Sequence, residues 1–226
     1  MSPNRAPTSS PDEVGHTTPG RWERLAPAGA LVFLLTIVLG ALAVGQSPPD
    51  SDRSARDIAA YFADHQGGHL TNTFLVTLGA FVFYPWFLAR LWQALRRVEG
   101  AGGICGSAAM VGGITLLGPV LLQVAAWGAA ALQAGETRDP AVAAALFDLG
   151  NMAFILFPLP AAVLVAATSV AAGGGTLLPG WLARAGLPVA LLMVVGAWFG
   201  QAPVSFMLFG LWLALVALLL TRRKER

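Results

Sequence analysis

Four long stretches of this chain contain no Asp, Glu, Lys or Arg: residues 25–49, 100–135, 149–183 and 185–221. A helix needs about 20 predominantly apolar residues to cross roughly 30 Å of hydrocarbon. The first stretch holds one crossing, and the later ones hold a crossing plus an uncharged turn. Adding the apolar run that begins near Leu70, the pattern predicts crossings over about 26–45, 70–89, 104–132, 146–171, 182–200 and 203–220. The fifth and sixth separate at GQAP, residues 200–203, where a glycine, an amide and a proline offer the one tight turn in an uncharged run. Five crossings with a re-entrant segment is the alternative. Either way the fold class is all-α, a polytopic membrane helical bundle.

Composition agrees. Apolar residues make up 56% of the 226 and charged ones 12%, about half the charged fraction of a soluble domain. The net charge of +2 and pI near 9.2 do not imply nucleic acid. The arginines stand at the mouths of apolar runs and leave no basic face for a phosphate backbone. The single cysteine, Cys105, excludes an intrachain disulfide and reads as a small buried side chain. The first 24 residues are rich in Pro, Ser and Thr with no apolar period, and read as a disordered cytoplasmic tail. Their length argues against a cleaved signal peptide, despite the ALA at 41–43. Residues 222–226 form a basic tail at the other terminus.

Six crossings put both termini on one side, together with Arg5, Arg21, Arg24, Arg90, Arg96, Arg97, Arg184, Arg222, Arg223, Lys224 and Arg226. Only Arg53, Arg56 and Arg138 fall opposite. The positive-inside rule then makes both termini cytoplasmic, in a cell inner (plasma) membrane. Trp22, Trp92, Trp127, Trp181 and Trp198 fall near predicted helix ends, where indoles settle at headgroup level. Trp86 and Trp212 do not, and are expected between helices. The basic ends suit anionic membrane lipids as partners.

The one sizeable polar connection, SPPDSDRSARDIAAYFADHQGGHL, reads as a short amphipathic helix on the outer surface. Ser51 or Asp52 is expected to cap it, with an apolar stripe of Ile58, Ala59, Phe62 and Ala63 facing lipid or the bundle. Gly67 and Gly68 are expected to end it. His65 and His69, with Asp64 beside them and Asp57 nearby, make a metal or proton-passing constellation chemically conceivable. The alternative is a pair of loop-mouth histidines with no shared partner.

In DLGNMAFILFPLP, residues 148–160, Asp139 and Pro140 mark a helix start, which leaves Asp148 near the outer interface. Asp148 and Asn151 are expected to turn into the bundle, because facing lipid costs several kcal/mol. Pro158 and Pro160 are expected to kink the fourth crossing, Pro85 the second and Pro119 the third. These placements define a hypothetical outward-facing cleft lined by Asp148, Asn151, Asp64, His65 and His69, with Tyr61 at its rim and Asp57 close by.

Small residues four apart, Gly102 and Gly106, Ala108 and Gly112, Ala109 and Gly113, and Gly196 and Gly200, allow close helix approach within the chain or across a homodimer or membrane-protein partner. GAGGICG follows no strand and is not a nucleotide loop. No HExxH or comparable catalytic cluster appears, nor a histidine pair within the apolar spans to ligate haem or iron. No catalytic residue or cofactor is therefore assigned.

RSARDIAAYFADHQ, LRRVEG after the second crossing, and DLGNMAFILFPLP followed by LLPGWLARAG together resemble a broad family of uncharacterised six-span membrane proteins of high-GC bacteria, known as a domain of unknown function. That resemblance implies the topology and no mechanism. The functional expectation is an integral membrane protein with a structural, accessory or sensing role. The alternatives are a small-solute or ion transporter and a subunit of a larger membrane complex. FYP at 83–85 and LFP at 156–158 occur in crossings of the same direction and hint at a parallel repeat.

Overall fold

The computed structural model describes residues 25–50, 52–100, 102–135, 138–174 and 177–222. The disordered tail expected over residues 1–24, Trp22, Ser51 and the last basic residues, 223–226, lie outside them. Every regular element among the described residues is helical. Six helical spans are long and apolar enough to cross a membrane: Ala26–Val44, Gln66–Glu99, Cys105–Gln133, Pro140–Ala171, Gly180–Trp198 and Ala202–Arg222. The protein is an all-α polytopic bundle.

Within these spans, α1 is Gly29–Val44, entered through a 3-10 turn at Ala26–Ala28. The short helix α2, Ala55–Asp64, precedes the second span, which comprises α3 (Gln66–Leu78), a π-helical segment (Gly79–Phe83) and α4 (Tyr84–Glu99). The third span is α5, Cys105–Gln133, and the fourth comprises α6 (Pro140–Leu156) and α7 (Pro158–Ala171). The fifth and sixth are α8 (Gly180–Trp198) and α9 (Ala202–Arg222). Gly200, with φ at 71°, makes the turn between them, as GQAP suggested.

Successive spans are neighbours, and α9 returns to pack on α1, so the six close into a ring. Tyr84, Phe87, Leu91, Leu116, Leu164 and Leu213 fill its middle. Short side chains bring the helices together. A Cβ on Gly112 would stand 2.8 Å from the Leu164 amide nitrogen, and one on Gly113 would strike Leu88. These two glycines are therefore used inside the chain. Gly102 has open space around it, and Gly200 serves the turn rather than a helix face.

The prolines act unequally. At Pro158 the helix breaks, with Phe157 as the joint between α6 and α7. Pro85 follows the π-helical segment, whose extra residue accommodates the missing N–H by widening the turn. Pro119 sits inside a continuous α5. Trp212 is buried as expected, but Trp86 is 62% exposed on the outer surface of the bundle. Cys105 is only partly buried.

Helix ends carry two devices that the sequence reading placed elsewhere or missed. The cap of α2 is Ser54, whose hydroxyl accepts from the Asp57 backbone N–H at 3.2 Å and donates to the Asp57 carboxylate at 2.8 Å. Asp52 is exposed and does not cap. At α5, the Glu99 carboxylate accepts from the backbone N–H groups of Cys105 and Gly106, at 3.2 and 2.7 Å. A carboxylate there satisfies two orphan donors and complements the helix dipole. Asp139 caps α6 as anticipated, accepting from Ala141 at 2.9 Å.

Candidate functional site

α2 packs its apolar stripe against the ends of α5 and α6, the bundle alternative of the two expected. Ile58 and Phe62 bury with Ala130, Ala131 and Phe147 in a small second core. Ala63, expected in the stripe, is exposed. The chain turns at His65, with φ of −112° and ψ of 20°, and enters α3 one residue later. Gly67 and Gly68 thus lie inside a helix rather than ending one. Gly68 is required by proximity, because a Cβ there would come 2.5 Å from the Ala43 carbonyl oxygen and 2.8 Å from the Val44 Cα.

Two hydrogen bonds seat α3 on α5. Gln66 Nε2 donates to the Ala131 carbonyl at 3.1 Å, and the Thr73 hydroxyl lies 2.8 Å from the Val124 carbonyl. This seating delivers His69 to the interior at 1% exposure. Its ring sits among Phe62, Tyr61 and Trp127, with centroids at 4.6, 5.6 and 6.0 Å. Trp127 is held by donating from its indole nitrogen to the Phe147 carbonyl at 3.3 Å, and its ring covers Gly150. Among the described residues, neither ring nitrogen of His69 has a hydrogen-bond partner. The Tyr84 hydroxyl and the Trp212 indole nitrogen are likewise unpartnered among the described residues, but of these groups only His69 borders the cavity described next.

His69 borders a cavity of about 450 Å³, within the usual range for small-molecule sites. α1 supplies Ile37, Ala41, Leu42 and Val44; α3 supplies Asn72 and Val76; α5 supplies Val120, Gln123, Val124 and Trp127. Phe154, Phe157 and Phe206 close the far side, so the joint at Pro158 places an aromatic ring in the wall. Gly45 to Pro48 and Tyr61 form the roof. The Tyr61 hydroxyl donates to the Gln46 carbonyl at 3.1 Å and ties α2 to the roof segment. Partial burial raises the Tyr61 phenol above its ordinary pKa.

Of the residues proposed from sequence, only Tyr61 and His69 line this cavity. His65 stacks on Tyr61 at 4.6 Å, and its Nδ1 lies 2.8 Å from the Tyr61 carbonyl oxygen. Asp64 is exposed, and Asp57 is occupied at the start of α2. Among the described residues no three His, Cys, Asp or Glu side chains gather as a metal-holding group, so His65, His69 and Asp64 do not form the centre contemplated above.

Asp148 does not turn inward. The buried positions of α6 are Ala143, Phe147, Gly150 and Ala153. Asp148 is one residue off that stripe, and a step of one rotates it to the exposed outer surface. It lies about 12 Å along α6 from Pro140, at the level of the α2 end. Asn151 is half-buried and outside the cavity wall. Sequence reasoning missed Asn72, Gln123 and Trp127 as wall residues, since their convergence depends on how α3 and α5 are rotated.

Comparison with family models, curated proteins and solved structures finds no match for this chain.

Proposed function

We propose that this chain is an integral membrane protein that receives a small molecule in the cavity beside His69, in a sensing or accessory role. The observation that carries this reading is the buried imidazole in the wall of a sizeable cavity, with both nitrogens unpartnered among the described residues. Desolvating such a group without a partner costs about 1–3 kcal/mol, which a bound ligand recovers. Apolar walls with a few convergent polar groups are the usual make-up of a ligand site.

The charge distribution supports a plasma-membrane orientation with cytoplasmic termini. Among the described residues, Arg90, Arg96, Arg97, Arg184 and Arg222 stand at the end opposite α2, and Arg53, Arg56 and Arg138 at the α2 end. The cavity then lies in the outer half of the bundle, beneath its roof. Transport is the second reading, favoured by the interruption at Phe157, which gives the fourth span a joint in the cavity wall. Membership of the uncharacterised six-span family belongs with this proposal, on the sequence segments alone.

Ala41 lies at the cavity's exposed mouth, so Ala41→Trp is a filling variant that leaves the core intact. Protein purified gently from its host membrane, then denatured and extracted, is expected to release a stoichiometric small molecule detectable by mass spectrometry. The Ala41→Trp protein, equally folded, is expected to release far less. Equal recovery from both, or none from either, overturns the reading.

A further inference from the structure

We infer that the occupant is an uncharged lipophile with a hydroxyl head, which enters sideways from the lipid layer and places its head against His69. This rests on the ligand-binding reading above and specifies the chemistry of the same cavity.

Charge comes first. Among the described residues, no Asp, Glu, Lys or Arg lines the cavity. An ionised ligand would lose its hydration there with no opposite charge to replace it, a loss far larger than a few hydrogen bonds restore. The occupant is neutral.

The polar groups then define its head. A neutral imidazole offers one N–H donor and one bare acceptor nitrogen. The side-chain amides of Asn72 and Gln123 border the same space and make no hydrogen bond to another described residue. Each of these groups both donates and accepts. A hydroxyl does the same with one atom, and so fits His69 in either tautomer. A carbonyl accepts only, and an alkane does neither.

The body of the ligand follows from the rest of the wall and from the route in. Ile37, Leu42, Val76, Val120 and Phe206 present apolar surface. α1 packs on α3 and on α9 but makes little contact with α6, and the cavity occupies the gap. On α9, Gly210 lies near Leu34, while Phe206, one turn nearer the α2 end, borders open space. Leu42 is 69% exposed where it lines the mouth. Its neighbours Val38 and Leu39 are exposed on the same helix, as on a surface solvated by acyl chains. The mouth therefore opens toward hydrocarbon, and an apolar tail can remain partly in lipid while the head reaches the imidazole.

The test uses the full-length protein in nanodiscs of neutral phospholipid and a photoreactive diazirine-bearing decanol, with adducts mapped by peptide mass spectrometry. Adducts are expected on α1, α3 and α5, saturable and displaced by unlabelled 1-decanol. Decane and ionised decanoate are expected to compete at least about tenfold less well, the difference one good hydrogen bond makes. His69→Phe is expected to erase the preference for decanol over decane. Ala41→Trp is expected to remove the labelling itself.

Equal competition by decane and decanol overturns the hydroxyl assignment, as does preferential displacement by decanoate. Displacement by glycerol alone overturns lipophile entry while the small-molecule site stands. Labelling that never saturates and ignores Ala41→Trp sinks the site and its chemistry together.

Discussion

Gly68 lies against the end of α1 so closely that a Cβ on it would come within 2.5 Å of the Ala43 carbonyl oxygen. The obstacle is backbone, which cannot rotate away. Gly68→Ala is therefore expected to destabilise the protein by about 1–3 kcal/mol through overpacking. Gly67, its neighbour, has nothing within 4 Å, so Gly67→Ala is expected to stabilise by about 0.5–1 kcal/mol through helix propensity. Denaturation of the purified proteins in one detergent compares the pair. Equal effects would show that the close approach to α1 is unimportant.

Glu99 ties the end of α4 to the start of α5 through two backbone N–H groups. Glu99→Ala is expected to cost about 1–2 kcal/mol, the scale of a lost cap. It should also loosen the first turn of α5, so Cys105 is expected to react faster with a membrane-permeant maleimide. Unchanged reactivity with lowered stability would place the effect elsewhere.

Trp127 covers Gly150, and a methyl group there would overlap the indole. Gly150→Ala is expected to push Trp127 toward the cavity and reduce ligand recovery without altering a cavity-lining residue. Trp127 fluorescence, in a background with the other tryptophans replaced by phenylalanine, is expected to shift in the same variant. An unshifted spectrum with normal recovery would count against this coupling.

Asp148 is exposed on the outer surface of α6, and no cavity residue depends on it. Asp148→Asn is expected to change stability by no more than about 0.5 kcal/mol, as for other surface positions. Ligand recovery is expected to stay at the wild-type level. A strong loss of either would restore the inward-facing role first expected of this carboxylate.

These contrasts mark what the sequence could reveal. Spans were legible because a bilayer demands length and low charge, and both are properties of one stretch of chain at a time. The cap at Asp139 and the turn at Gly200 were equally local. Gly68 misled because a glycine that ends a helix and one that admits a neighbour look identical until the neighbour is placed. Asp148 misled because a carboxylate can escape hydrocarbon by depth or by direction, and composition does not separate the two. His69 was noticed for its partner His65, yet its setting comes from Trp127 and Phe62, and from the rotation of α3 against α5. That rotation depends on Gly128, where a Cβ would stand 2.6 Å from the Thr73 hydroxyl.

The π-helical segment Gly79–Phe83 adds one residue to a turn and so offsets the two halves of the second span by about 100°. His69 faces the cavity on one side of that offset, and Tyr84 is wholly buried in the central core on the other. Deleting a single residue between them would restore regular winding and force a choice. Either the imidazole swings out of its aromatic surroundings or the phenol leaves the core. The span thus works like two screws of different phase joined end to end, and a frame-preserving codon loss at the joint would unseat one of them while leaving hydropathy almost untouched.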